Sequence, residues 1–388
     1  MICSLPFRVL KKTFELSAVQ EKVLELLDLP GSLNSIAGKV MGAKRISTDE
    51  ALHLYQSADL ALLGVLAGIT KKRLSGDKVY FNRNFHIEPT NICINTCKFC
   101  SYRRREGQKG AWECSIEEIV EDVKKFSQGD ATEVHIVGGV HPGRDLSFYI
   151  DLVREVKNAA PHLHVKAFTA VEIDQMCRMS GVSAEEGLEK LKAAGLQSMP
   201  GGGAEIFDET IRAKICPDKT GSEEWLRIHS MAHQREIPTN ATMLYGLLEG
   251  YSHRVDHLDR LRRLQDKTNG FNAFIPLKFK RENNKYSRIK ETTLIEDLKN
   301  YAISRIFLDN IPHLKAYWPM IGKQAAQLSL SFGVDDLDGT IDDSTRIYSM
   351  AGGEDNPSVS SATLVQMIRE MNWVPTERDS VYNVLKSF

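Results

Sequence analysis

Eight short β-rich runs alternate with helical segments along most of this 388-residue chain, and that alternation constrains the fold more than any other feature. The runs are NFHIEPT, TEVHIVGG, HVKAFTA, LQSMPGG, TNATMLYG, NAFIPLKF, HLKAYW and FGVDD. Between them, SIEEIVEDVKKFS, DLSFYIDLVREVKNA, EEGLEKLKAA, HRVDHLDRLRRLQD and LIEDLKNYAISRIFL carry apolar residues at helical period. They are long enough for right-handed crossovers between parallel strands. The expected fold is therefore α/β, a (β/α)8 TIM-type barrel with a helical lead-in and a C-terminal cap. The lead-in, 1–78, holds VQEKVLELLDL, STDEALHLYQ with a capping box from Ser47 to Glu50, and DLALLGVLAGITKKRL. The barrel takes 79–340. The cap, 341–388, begins with the turn-rich AGGEDNPSVSS, continues in a helix around TLVQMIREMN and finishes in a charged end.

Composition narrows the partners. Fifty basic against fifty-one acidic residues leave a formal charge of -1, which gives no global pull toward nucleic acid or an anionic membrane. A small-molecule substrate is the simpler expectation. The most apolar stretch, LALLGVLAGI, falls well short of the roughly 18 residues that span a bilayer and reads as a buried helix. MICSLPFRVLKK has too short an apolar run for a secretory signal, so a cytoplasmic location is expected. Cys3, Cys114, Cys177 and Cys216 are scattered without a second motif, as reduced thiols would be.

The other three cysteines are not scattered. Cys93, Cys97 and Cys100 stand at C-x3-C-x2-C spacing in NICINTCKFCSY, in the loop after the first barrel strand, with no fourth cysteine close behind. Three thiolates can hold three irons of a 4Fe-4S cluster and leave the fourth open to a small-molecule ligand. A Cys3His zinc site with His86 is the rival, although zinc ligands usually come as two separated pairs. After strand two, Gly138 and Gly139 lack side chains and permit close backbone approach to a ligand, or form only a turn. After strand four, Gly201, Gly202 and Gly203 in MPGGGAEIF precede a helix expected near Ala204 and either hold an anion on backbone N–H groups or let substrate approach the chain. Arg103, Arg104 and Arg105 follow the cysteine loop as carboxylate partners, as a docking site for an acidic electron donor, or as a solvated charged face. His313 and Lys315 share a face of strand seven and Lys278 ends strand six; facing inward they partner carboxylates, and facing outward they contact helices.

The CINTCKFC string resembles the signature of the radical S-adenosylmethionine (radical SAM) superfamily. That resemblance implies SAM bound at the open iron and cleaved reductively to methionine and a 5′-deoxyadenosyl radical. It further implies that Gly138 and Gly139 contact the methionine amino group. Phe99 presents its backbone to adenine or simply covers the cluster. Glu172, in AFTAVEI, bonds the ribose or substrate, or is a solvated loop carboxylate. Many members carry Glu where this chain has Val140.

MPGGGAEIFDETIRAKICPDK, TNATMLYG, RVDHLDRLRRLQDKTNGFNAFIPLKF and DNIPHLKAYWPMIG together resemble the aminofutalosine synthases of the futalosine route to menaquinone, over roughly residues 35 to 350. Leu247, where histidine is expected in many members, and Asn269, where glycine is commoner, depart from that pattern. The resemblance implies a transferase that adds the adenosyl radical to an aromatic carboxylate, 3-[(1-carboxyvinyl)oxy]benzoate, which demands partners for two carboxylates; Arg103, Arg212, Lys278, His313 and Lys315 are the candidates in this chain. Reduced flavodoxin or ferredoxin is the implied electron donor. A cyclic dehypoxanthinylfutalosine synthase-like or deazaflavin-forming radical enzyme, in which the radical abstracts hydrogen, stays open. So does a non-catalytic metal-bearing module, which the near-neutral charge weakens.

The cysteine spacing yields a direct test. Anaerobically reconstituted protein is expected to carry about four irons per chain, and replacing Cys93, Cys97 or Cys100 with Ala should abolish SAM cleavage. Stoichiometric zinc without iron would overturn the cluster reading.

Overall fold

The computed structural model describes Lys22 and residues 29–341, 346–347, 349–353 and 357–388. Cys3 and most of VQEKVLELLDL lie outside the described residues. The strand path opens with β1, Lys78–Phe81, and β2, Asn84–Ile87, two halves interrupted at Asn82 and Arg83. β2 pairs in parallel with β3 (Glu133–Ile136), and β3 with β4 (His164–Ala167). β5 (Thr239–Tyr245) pairs in parallel with β6 (Phe271–Lys278), β6 with β7 (His313–Ala316), and β7 with β8 (Asp336–Leu337). β8 returns to β1, again in parallel.

Two gaps in this ring are closed without full ladders. Between β4 and β5, Ser198 bridges Lys166 and Met199 bridges Thr239, so the fourth barrel position is a pair of residues. Pro200 and the three glycines after it explain the brevity, since proline has no N–H to donate and glycine weakens a strand. Between β8 and β2, Thr340 does the joining. Its hydroxyl accepts from the Asn84 N–H at 3.3 Å and donates to the Asn84 carbonyl at 3.1 Å, while the Ile341 N–H reaches Asn84 Oδ1 at 3.2 Å. The result is the TIM-type barrel expected from the alternation, with every ring pairing parallel.

The eighth strand starts later than FGVDD suggests. Leu330–Phe332 forms a 3-10 turn that ends at Gly333, whose φ of 92° lies in the left-handed region. The charged end of the expected cap forms two strands. Val374–Arg378 is β9, parallel to β1, and Val384–Ser387 is β10, antiparallel to β9. Short strands with few apolar residues carry little sequence signal, which is why they read as a charged end.

Helices wrap the ring. Thr48–Ser57 starts at the expected capping box, with the Glu50 N–H donating to Ser47 Oγ at 3.2 Å and the Ser47 N–H to Glu50 Oε2 at 2.8 Å. LALLGVLAGI is the front of a helix at Leu60–Ser75 that buries Leu62, Leu63, Leu66, Ala67 and Ile69. Tyr55 donates to Asn300 Oδ1 at 2.6 Å and so ties this N-terminal layer to the crossover helix Leu294–Phe307. The helix of the C-terminal region, Ser361–Glu370, precedes β9. Among the described residues no helix is long and apolar enough to cross a membrane.

Arg378 locks β9 onto the ring. Its Nη2 and Nε lie 2.6 and 2.9 Å from Asp336 Oδ2, the Tyr382 hydroxyl donates to the same oxygen, and both charged side chains are fully buried. Removing one member of a buried pair leaves an uncompensated charge and costs about 3–5 kcal/mol. Arg378→Ala should therefore lower the denaturant midpoint sharply, whereas the double change Arg378→Met with Asp336→Asn should recover most of the loss.

Candidate active site

The C-terminal ends of the strands open onto a cavity of about 320 Å³, in the range that takes a small ligand. One wall is the loop after β2. Cys93, Cys97 and Cys100 all line the cavity, with Phe99 between the last two. Burial pushes the Cys93 and Cys97 thiols up; backbone N–H groups of Val140 and Asn95 oppose that rise at Cys93, and the Lys219 ammonium opposes it at Cys97. The loop is pinned from several sides. The Ile94 N–H donates to the Val140 carbonyl at 2.9 Å, the Lys98 N–H to Ile215 at 2.7 Å, and Thr96 gives both its N–H and its hydroxyl to the Asp218 carboxylate. Arg105 is exposed, as a solvated charged face would be, and its guanidinium also caps the Cys93 and Ile94 carbonyls at 3.2 and 2.8 Å. Arg104 likewise turns to the carbonyls of Ser101, Tyr102 and Arg103.

Gly138 and Gly139 line the cavity, but the loop itself already demands glycine there. A Cβ on Gly138 would meet the Thr90 carbonyl oxygen at 2.9 Å, and one on Gly139 would collide with the carbonyl of Ile92. The Gly139 N–H donates to Thr90 at 2.7 Å. Backbone contact between the loops after β2 and β3 is thus what the glycine pair makes possible. Gly201 plays the same part against β5, where a Cβ would lie 2.6 Å from the Asn240 carbonyl oxygen. Gly201, Gly202 and Gly203 all line the cavity. The helix expected near Ala204 begins only at Glu209, capped by Asp208. In between, Glu205 at φ 49° turns its carboxylate onto Lys219, 2.6 Å away.

Four expected ligand contacts are corrected by where their side chains go. Glu172 is neither solvated nor in the cavity lining: it is the third residue of the helix Ala170–Met179. Its Oε2 accepts from the Thr169 N–H and hydroxyl at 2.7 and 2.8 Å, and its Oε1 from the Gly138 N–H at 3.1 Å. Burial raises its carboxyl to about 7, against the pull of these donors. Arg212 is buried and donates to the Ala204 and Ile206 carbonyls at 2.6 and 3.3 Å and to Thr220, which holds the glycine-rich turn in shape. Lys278 points outward because Ile275 and Leu277 take the inward face of β6, and it pairs with Asp297 at 2.8 Å. His313 does share a face with Lys315 but sits two residues lower on β7, where it meets Asp335 at 2.9 Å and stacks on Tyr382.

Lys315 does line the cavity, 2.9 Å from Asp338. Burial alone would lower its ammonium, but Asp338 and Asp336 outweigh that and raise it. Across the interior Lys166 lies 2.7 Å from Glu133. Burial would raise the Glu133 carboxyl, yet Lys166 and Lys315 hold it well below the usual carboxylate range. His135 also lines the cavity; burial, with His86 and Lys166 nearby, pushes its imidazole well below its ordinary value, so it is neutral. Its Nε2 is buried without a hydrogen-bond partner among the described residues. Asn240 and Thr242 complete the polar floor, and Leu244, Ile275, Leu277 and Phe279 form an apolar wall. Lys166, Glu133, His135, Asn240 and Thr242 escaped the sequence reading. Their signal was present: polar residues two apart in otherwise apolar strands face the inside of a barrel.

The geometry tests the metal alternatives. His86 lies in a separate cavity with Glu88 and Trp112, not with the three thiols. Among the described residues no three His, Cys, Asp or Glu converge as ligands of a single ion would. Cys93, Cys97 and Cys100 line one cavity, and three thiols are the donor set that three corners of a cubane take.

A parallel barrel with three thiols from the loop after its first strand and glycine loops packed beside them has the build of a radical SAM enzyme. Residues 87–261 match the family model for the radical SAM superfamily, and 268–387 match that for the CofH/MqnC C-terminal region. The aminodeoxyfutalosine synthase of Thermus thermophilus is 45% identical, over 90% of this chain and 95% of its own. That of Streptomyces coelicolor is 40% identical, over 92% and 95%. Among solved structures, the FeFe-hydrogenase maturase HydG from Carboxydothermus hydrogenoformans shares the fold with a TM-score of 0.70 at 17% identity, covering 94% of this chain and 83% of its own. The chain belongs to the aminodeoxyfutalosine synthase family of radical SAM enzymes. It uses a 4Fe-4S cluster and SAM, as that family does.

The departures from the family pattern have local explanations. Asn269 ends the helix Tyr251–Thr268 in the left-handed conformation, φ 50°, and asparagine is the residue that best replaces glycine there. Val140 serves through its backbone carbonyl, which any residue supplies. Leu247 gives its N–H to Glu249 at 2.9 Å and packs its side chain against the core.

Glycine at 139 should be indispensable for cluster loading. Gly139→Ala forces the cysteine loop to move and is expected to lose most bound iron, whereas Gly143→Ala, whose nearest neighbour is the flexible His141 side chain at 3.5 Å, should retain it. Iron analysis of the two variants checks this.

Proposed function

We propose that the chain cleaves SAM to methionine and a 5′-deoxyadenosyl radical and adds that radical to 3-[(1-carboxyvinyl)oxy]benzoate, with migration of the aryl group and loss of one carboxylate as CO2, forming 6-amino-6-deoxyfutalosine for menaquinone biosynthesis in the cytoplasm. In this reading Cys93, Cys97 and Cys100 hold the cluster, with Phe99, Gly138 and Gly139 on the SAM side. The bound cluster supplies the electron that cleaves SAM. The barrel at 79–340 does the chemistry, between a helical extension at 1–78 and a cap at 341–388, and reduced flavodoxin or ferredoxin is the electron source.

The observation that carries the substrate reading is the cavity's division into an apolar wall and buried cations. Leu244, Ile275, Leu277 and Phe279 receive an aryl ring and exclude water from a radical. Lys315 and Lys166 offer ammonium groups to carboxylates from the floor, and Arg103 offers a guanidinium from the rim. Of these, Arg103 makes no ion pair among the described residues, so it binds an anion without giving up a partner. His135 Nε2 is a further free hydrogen-bonding position. Holding both ends of the substrate orients the vinyl carbon toward the adenosyl group, and orientation decides whether the radical adds or escapes.

The test is anaerobic turnover with SAM, a reductant and the enol-ether benzoate, read by mass spectrometry. One aminodeoxyfutalosine per SAM is expected, with free 5′-deoxyadenosine only from uncoupled cleavage. Arg103→Ala and Lys315→Gln should keep the iron content, raise KM for the benzoate about tenfold or more as charged hydrogen bonds are lost, and increase free 5′-deoxyadenosine. Stoichiometric 5′-deoxyadenosine from the unaltered enzyme would overturn addition in favour of hydrogen abstraction.

A further inference from the structure

SAM cleavage needs an electron from outside the chain, and the surface over the cysteines is not neutral. Residues 98–109 and 280–291 together hold ten basic and three acidic side chains, in a chain whose total charge is -1. The two segments are joined in space. The Lys285 N–H donates to the Lys98 carbonyl at 2.9 Å, Ser101 Oγ to the Glu282 carbonyl at 2.5 Å, and the Tyr286 hydroxyl to the Lys214 carbonyl at 3.0 Å. The loop after β6 is thereby strapped across the cysteine loop.

Between them opens a surface pocket of about 390 Å³ that reaches Cys97 and Cys100. Its charged lining among the described residues is Lys98, Arg103, Arg104 and Lys285, with no acidic residue among them. Lys98, Lys285 and Arg288 make no ion pair among the described residues, and Lys285 and Arg288 are exposed. Unneutralised cations around the outer approach to two of the three thiols are what the fold of this surface does not need. A protein with an acidic face is drawn to such a patch, and its encounter rate falls as salt screens the attraction.

We propose that the basic face formed by the cysteine loop and the strap at 280–291 is the docking surface for an acidic one-electron carrier protein, which delivers its electron through the Cys97 and Cys100 side of the site. This rests on the radical SAM reading. In each delivery the reduced carrier loses one electron and leaves oxidised. That electron breaks the C5′–S bond of one SAM to methionine and the adenosyl radical; the last substrate radical, after its carboxylate leaves as CO2, gives one electron back to the site as the closed-shell product forms, so the carrier primes the site and replaces electrons lost in uncoupled cleavage. Partner choice is electrostatic, so it resides in the exposed side chains and not in the thiols.

The experiment compares the reconstituted full-length enzyme with its Lys285→Glu, Arg288→Glu double variant, following anaerobic cluster reduction by stopped-flow absorbance. The reductants are a reduced flavodoxin of strongly acidic surface and reduced methyl viologen, a small cation that needs no docking face. At low ionic strength flavodoxin should reduce the variant at least tenfold more slowly than the unaltered enzyme, and 0.5 M salt should erase most of that difference. Viologen should reduce both equally. Equal rates with flavodoxin would overturn the docking surface. A matching loss with viologen would also overturn it, by assigning these residues to the integrity of the site. Failure of viologen to reduce even the unaltered enzyme would instead count against the cluster reading beneath it.

Discussion

Closing the ring at Asn84 is the constraint on which the rest of the molecule depends. β1 and β2 are one chain path serving two sets of neighbours, β8 and β9 below and β3 above, and the switch occurs at Asn82 and Arg83. At that switch no ladder joins β8 to β2, and Thr340 with the Asn84 side chain supplies the missing bonds. Gly339 must be glycine for this, because any Cβ there would run into Asn84 Oδ1 and the Asn82 carbonyl. β2 in turn aims the cysteine loop at the mouth. A break in closure would therefore misplace the thiols without touching them.

The interior is unusually charged for a barrel, whose inner layers are commonly branched apolar residues. Lys166 with Glu133, Lys315 with Asp338 and Arg378 with Asp336 are all buried ion pairs. Desolvating such pairs is costly, and apolar residues of similar volume are often as stable or more so. The lower pair, Arg378 with Asp336, anchors β9, which is a structural return. The upper two line the cavity, where the return is electrostatic: fixed charges in a water-poor space act more strongly on a bound anion than they would in water.

Much of this was legible in the residues. Strand and helix alternation implied a parallel ring, and the thiol spacing pointed to the 4Fe-4S cluster that the family uses. The capping box at Ser47 and Glu50 was readable because its partners are three residues apart. Less legible were residues whose role is set by direction. Glu172, Arg212, Lys278 and His313 have the chemistry of ligand-binding groups, and each is turned by its helix or strand register toward a partner inside the protein. Lys166 and His135 have the converse history: unremarkable in the chain, they face the cavity.

Local sequence thus determined which segments are strands and helices, that the chain closes as a barrel, and which three thiols share a loop, because period, caps and short motif spacings act over a few residues. Only the tertiary structure decided which polar side chains point inward, that Gly138 and Gly139 serve loop packing, that β9 docks on β1, and that two basic segments about 180 residues apart in sequence meet over the cysteines. Those outcomes depend on strand register and on contacts between distant segments, where a shift of one residue sends a side chain to the opposite face.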